Sequence, residues 1–396
     1  MEQPAENTNK TAQLGIFARV IFFAAAAVLA LFSADSASGM PGAAASIIGA
    51  ALSLVSALSA NNPVDTAASF LPGIAACFIY ALIWADRSDG IGAAFLSAAP
   101  SLFMTILAFG LWFTVRLGKS RASSIAFTAS ICVILWMLCA AARIRYYTGK
   151  LDITTVRAVL DAFFDPVRSM LASIKFDHGD TSMQVYSDAD IANMINAAKR
   201  TFIGTLGALM LIAAYLVTAA ARFISAIFGV FSVFPTEERD EIAIMPTGEN
   251  DDNVGIFVER VRLPWRIEVS TVSAVVAVAA YFVCMLFSDP DRQLAAVTVA
   301  ENLMILLMPG LVYVGIRSLA CGLTGNSRGL FGLRSGRKNP LGSIIIFFMA
   351  IVLFFVSPAA PLMLMSLNGV IDIFSENFRR SGASRIGGND IDDRKE

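Results

Sequence analysis

Glu301 and Asn302 are the residues best placed to do chemistry. They interrupt an apolar run that starts at Leu294, and they lie about seven residues, or roughly 11 Å, along it. An ionisable side chain inside a span is costly and belongs on the inner face of a helix bundle, where a carboxylate and an amide could hold a cation, a proton or a polar solute. The competing reading is structural: Glu301 hydrogen-bonds a neighbouring helix and fixes its packing. The same run contains Met308-Pro309-Gly310, and an earlier one contains Leu71-Pro72-Gly73. Proline lacks a backbone donor and clashes with the preceding turn, so Pro72, Gly73, Pro309 and Gly310 mark two places where unwound backbone could face a ligand. In the span order given below, the two pairs fall in the third helices of two five-helix halves that run in opposite directions, as in an inverted repeat around a transport site. Pro and Gly are also frequent in membrane helices generally.

Other chemistries are excluded by residue type. His178 is the only histidine, which removes paired-histidine zinc sites and a Ser-His-Asp triad. Lys150 follows Gly149 but lacks the glycine spacing and the Ser or Thr of a phosphate loop. Cys77, Cys132, Cys139, Cys284 and Cys321 lie in or at the end of apolar runs without a CxxC pair, and read as small packing residues. No catalytic residue, metal site or cofactor is predicted, and the chain reads as a non-enzyme.

The elements that must position Glu301 and Asn302 are membrane spans. The chain has 396 residues, of which 56% are hydrophobic and 15% charged, with a mean hydropathy of +0.67; soluble domains carry about a quarter charged residues. A net charge of −1 gives no basic field for nucleic acid. A hydrocarbon core about 30 Å thick needs roughly 20 mostly apolar residues per helix. Eight segments qualify, at 14–33, 67–85, 91–115, 123–142, 202–232, 268–287, 294–316 and 343–357, with two weaker ones at 43–60 and 361–374. The fold class is therefore an all-α polytopic bundle of 8–10 transmembrane helices. Its last pair forms a hairpin turned at Pro358 and Pro361. Residues 1–33 also read as a signal peptide ending near Ala37, but the apolar stretch is long for one, which favours a retained span.

Short basic loops set the orientation. Arg116, Lys119 and Arg121 in 116–122, and Arg317, Arg328, Arg334, Arg337 and Lys338 in 317–340, place those loops and the N-terminus in the cytoplasm. The ten-span count puts the C-terminus there too. Arg19 near the inner end of the first span and Asp372 near that of the last then share a depth; they form a structural ion pair, or Arg19 snorkels to the interface.

The predicted organisation is an N-terminal membrane half at 1–142, an extramembrane helical insertion at 143–201, a C-terminal half at 202–380 with an acidic loop at 235–264, and a disordered tail at 381–396. In the insertion, Ile153, Val156, Leu160, Phe163, Phe164, Val167, Leu171 and Ile174 share one helix face, and Arg157, Asp161, Asp165 and Arg168 the other. Such a helix lies in the membrane interface, grips a partner, or packs on the protein's own spans; the mixed-sign polar face favours the last. Pro166 should kink it. Ser187 and Asp190 form a capping-box-like start to a second helix that runs into the span at 202. The glycines between Gly322 and Gly342, set among basic residues, could cradle phosphate or anionic headgroups, or form a flexible positive-inside loop.

The run Leu367-Asn368-Gly369-Val370-Ile371-Asp372, followed by Asn377-Phe378-Arg379 and preceded by Gly315, Arg317 and Leu263-Pro264-Trp265, resembles the C-terminal signature of the YybS-like family. These are bacterial multi-span membrane proteins of unknown function. The likeness covers roughly 263–380, with Gly369, Asp372, Phe378 and Arg379 as its signature residues. Members look distantly similar to the substrate-binding components of energy-coupling-factor vitamin transporters. The resemblance implies a multi-pass protein of the bacterial cytoplasmic membrane with a small-molecule pocket among its helices and membrane or ATPase partner subunits. The alternative is a non-catalytic membrane scaffold or envelope-assembly partner, with a dry bundle packed by small residues.

Overall fold

The computed structural model describes residues 16–34, 39–60, 63–84, 91–117, 119, 121–178, 181–184, 186–228, 269–287, 295–323, 349 and 359–387. Among these the chain forms α1 (Ile16–Ala34), α2 (Gly39–Leu58), α3 (Pro63–Ala68), α4 (Leu71–Trp84), α5 (Ile91–Ala98), α6 (Pro100–Arg116), α7 (Arg121–Thr148) and α8 (Ile153–Ser173). A hairpin of β1 (Lys175–His178) and β2 (Thr181–Gln184) follows, then α9 (Asp188–Arg200), α10 (Phe202–Ile227), α11 (Thr271–Leu286), α12 (Ala295–Leu323) and α13 (Ala359–Gly387). The fold is all-α, with the one short hairpin as an appendage.

Among the described residues, four helices are long and apolar enough to cross a membrane, over Pro41–Leu58, Arg121–Thr148, Phe202–Ser225 and Ala295–Leu319. Shorter apolar helices cover Phe17–Ser33, Leu71–Ile83, Ser101–Arg116, Thr271–Leu286 and Ala360–Ser375. An apolar helix thus stands at nine of the ten expected span positions; the tenth, 343–357, lies outside the described residues except for Met349. The acidic stretch 235–264 and the glycine-rich part of 324–342 also lie outside them.

Proline placement explains where the helices depart from the hydropathy pattern. The apolar run 91–115 is two helices, because Pro100 opens α6 at a position where its missing donor costs nothing. Pro72 likewise sits in the first turn of α4, not in mid-span. Pro166 and Pro309, by contrast, lie inside helices that continue past them. Helix α13 continues to Gly387, so the predicted disordered tail begins as helix, ending at the Gly387-Gly388 pair of the sequence.

The residues divide into two compact units. One comprises residues 1–159 and 210–266, the other 160–209 and 267–396, with two of the boundaries inside α8 and α10. The first unit packs α1, α2, α4 and α6, with the small residues Ala26, Ala30 and Ala50 buried beside the large Leu54, Met104 and Leu111. A Cβ on Gly73 would strike the Thr105 hydroxyl of α6. Small residues let helix backbones approach where lipid supplies no hydrophobic drive between spans. Cys77 packs with Ala81, Ala94 and Ala98 as a core residue. The α1–α2 hairpin returns the chain to its starting level: Arg19 Nη2 donates to the Ser59 carbonyl at 2.6 Å, and Nη1 meets Asp65 Oδ2 at 2.8 Å. The proposed partner of Arg19, Asp372, is thereby replaced by Asp65, a local acid in α3.

In the second unit Ala274, Ala277, Leu311, Val314, Val370 and Ile373 form the core of α11, α12 and α13. Helices α12 and α13 cross at Gly315 and Gly369. A Cβ on Gly315 would collide with the Met365 carbonyl, and one on Gly369 with the Leu311 carbonyl. Beside the crossing, buried Asn368 donates Nδ2–H to the Gly315 carbonyl at 2.9 Å.

The insertion contains both expected helices and the unexpected hairpin, in which Lys175 faces Gln184 and His178 faces Thr181. Asp152 caps α8 by accepting the Thr155 amide at 2.7 Å, and the hydrogen bonds from Thr155 hold its carboxyl below the usual carboxylate range. Charged residues on α8, each costing about 2.5–3.5 kcal/mol at a span's centre, keep it from crossing the bilayer.

Candidate functional site

The site forms at the break between α9 and α10. Helix α9 starts at a full capping box: Ser187 Oγ accepts the Asp190 amide, and the Asp190 carboxylate accepts from the Ser187 amide at 3.2 Å. Those Ser187 bonds, the hydroxyl first, hold the Asp190 carboxyl below its ordinary value. The helix ends at Arg200, Thr201 caps it, and α10 begins at once with Phe202. A break of one residue leaves carbonyls open at one helix end and amides open at the next.

Asn302 of α12 closes that break. Its Oδ1 accepts the Gly204 amide at 2.6 Å, and its Nδ2 donates to the Arg200 carbonyl at 2.7 Å and to the Thr298 carbonyl at 2.8 Å. One amide side chain thus satisfies the last turn of α9 and the first turn of α10. Gly204 makes the approach possible, because a Cβ there would lie 2.5 Å from the Asn302 carbonyl oxygen. Asn302 is bound to backbone through both polar atoms.

Glu301 sits beside it in a different condition. Its Oε1 lies 3.3 Å from Arg200 Nη2, and its side chain is 25% exposed. Its Oε2 is buried and has no hydrogen-bond donor among the described residues. Arg200 lies two residues before Phe202, where the apolar helix α10 begins, so the pair stands beside the start of that helix. Lys199, next to Arg200, pairs with Asp161 of α8. The result is a row of paired charges along the α9 end, with one carboxylate oxygen uncommitted.

The other predicted residues do not join this group as a set. Gly310 has Val269 Cγ2 3.3 Å from where a Cβ would stand, within a continuous α12. Pro72 and Gly73 serve packing in the other unit, with Pro72 fully buried. The two Pro-Gly pairs therefore differ in kind: one opens a helix, and the other sits inside one. Gly369 has the packing role described above, Asp372 lies one turn further along α13, and Phe378 and Arg379 lie in the helix beyond the described side chains.

Sequence reasoning missed Arg200 as the partner of Glu301. A basic residue at the mouth of one span and an acid about two turns into another are a usable signal, but nothing local links positions so far apart. Searches against protein-family models, curated proteins and solved structures return no match to the chain.

Proposed function

We propose that the chain is a small-molecule transporter, or the substrate-binding membrane component of one, and that it works without an enzymatic step. The observation that carries this is the buried Oε2 of Glu301, an acceptor with no donor among the described residues beside an arginine that engages only the other oxygen. An unsatisfied buried carboxylate oxygen is costly, and a cation or a solute bearing N–H or O–H groups would satisfy it. Asn302 is the weaker ligand candidate, since both its Nδ2 hydrogens and one Oδ1 lone pair are bound to backbone. The YybS-like resemblance over 263–380 supports the same reading. The resemblance carries a bacterial cytoplasmic membrane with it, the basic loops favour cytoplasmic termini, and a chain whose sequence offers no phosphate loop would draw its energy from an ATPase subunit or an ion gradient.

The test is native mass spectrometry of the purified chain in nanodiscs, with solute uptake measured in vesicles. Glu301→Gln should abolish a co-purifying small molecule and the uptake of that molecule. An unchanged bound molecule and unchanged uptake in Glu301→Gln would take the residue out of the path.

A second reading, a non-catalytic membrane scaffold, is favoured by a different observation: the helix contacts rest on Ala and Gly, and Asn302 acts as a joint. It predicts copurifying protein and no bound solute.

A further inference from the structure

We propose that residues 160–174, the larger part of α8 and the residue after it, lie along the membrane surface, with Phe163, Val167, Met170 and Ile174 in the boundary between lipid headgroups and acyl chains. These four residues are spaced four, three and four apart, which is one helix face. They are 61%, 40%, 61% and 39% exposed, and no residue of α8 is buried. This strip of the helix is therefore left open, while the flank formed by Leu160, Phe164 and Leu171 is half-buried.

What covers that face follows from where the helix is tied. Phe163 and Phe164 stand edge-on to Phe202, with ring centroids 6.0 and 6.4 Å away, and Asp161 pairs with Lys199. Phe202 is the first residue of a helix able to span the bilayer, and Ile203 and Leu209 behind it are exposed as lipid-facing residues are. The attachment thus holds the helix at the level where the bilayer begins. A helix at that level with one apolar and one charged face can lie in the interface by its apolar area, although its polar face is mixed in sign and not Lys/Arg-rich.

The charges define the lipid it takes. Within 160–174 the charges are Asp161, Asp165 and Arg168; Arg168 lies 3.9 Å from Asp165, and Asp161 pairs with Lys199. The polar face carries no net basic charge, so adsorption rests on apolar area and proceeds on neutral lipid as on anionic lipid. This does not depend on the role given to Glu301.

The experiment uses the full chain in nanodiscs of phosphatidylcholine, with and without added phosphatidylglycerol. A lipid-soluble carbene photoprobe and hydroxyl radicals in the water phase label it, and peptides are mapped. Carbene adducts at Phe163, Val167 and Met170 in both lipids, absent from Asp165 and Arg168, are expected. Met170→Asp should remove the adducts while leaving the melting temperature unchanged. Oxidation of Met170 without carbene adducts would show a water-facing helix and overturn the proposal. Protection from both reagents would assign the face to protein, and adducts that require phosphatidylglycerol would assign it to charge; either result also overturns it.

Discussion

Arg19 and Arg200 both hold a carboxylate at a helix end, each in its own unit, and they hold it differently. Arg19 spends its two terminal nitrogens at 2.8 and 2.6 Å, one on Asp65 and one on the Ser59 carbonyl, so the same side chain fixes an acid and a helix terminus. Arg200 reaches Glu301 at 3.3 Å through one nitrogen and leaves the second carboxylate oxygen unused; the helix terminus beside it is fixed by Asn302 instead. Where the backbone is secured by the arginine, the ion pair is part of the scaffold. Where an amide secures it, the ion pair does not hold the helix terminus.

Asn302→Leu strikes this division hardest. It leaves the Gly204 amide and the Arg200 carbonyl without partners, at about 1–3 kcal/mol for each buried group, so thermal unfolding in detergent should show a loss of about 3 kcal/mol. Arg19→Ala should cost about 1–2 kcal/mol, near the value for a charged hydrogen bond and reduced because Asp65 is 44% exposed and can rehydrate. Glu301→Gln keeps an oxygen that can accept from Arg200 and should change stability by less than about 1 kcal/mol. If it costs as much as Arg19→Ala, the two pairs are alike and the comparison fails.

The smallest effect is expected at the other end of α9. Ser187→Ala removes the cap, and faster hydrogen exchange of the first amides of the helix should report it without a change in global melting. The Asp190 carboxyl is lowered on folding, so its contribution is complete above the ordinary carboxylate value of about 3.9. It is lost as pH falls through the lower folded value. The wild-type amides should therefore fray in acid, and the Ser187→Ala amides should show little further change.

Much of the fold was legible because span length and composition are local properties: nine apolar helices stand at predicted positions. The capping box at Ser187 was legible for the same reason, since its partners are three residues apart. The split at Pro100 was not, because hydropathy is blind to a proline that starts a helix inside an apolar run. The hairpin at 175–184 escaped although Gly179-Asp180 is a usable turn signal, as it is short and lies between two strong helical patterns. At the site, sequence reading picked out Glu301 and Asn302 together. It could not separate a residue bound to backbone from one with an oxygen to spare, because the groups that make the difference are supplied by α9 and α10.

The joint closed by Asn302 also sets a timetable for making the protein. Asn302 follows Gly204 by 98 residues and Arg200 by 102. At about 5–20 residues per second, the ribosome supplies the closing side chain roughly 5–20 s after it has added Gly204. During that interval the open carbonyl and amide at the start of α10 depend on water or on the insertion machinery, and a chain arrested before α12 carries the joint unfinished.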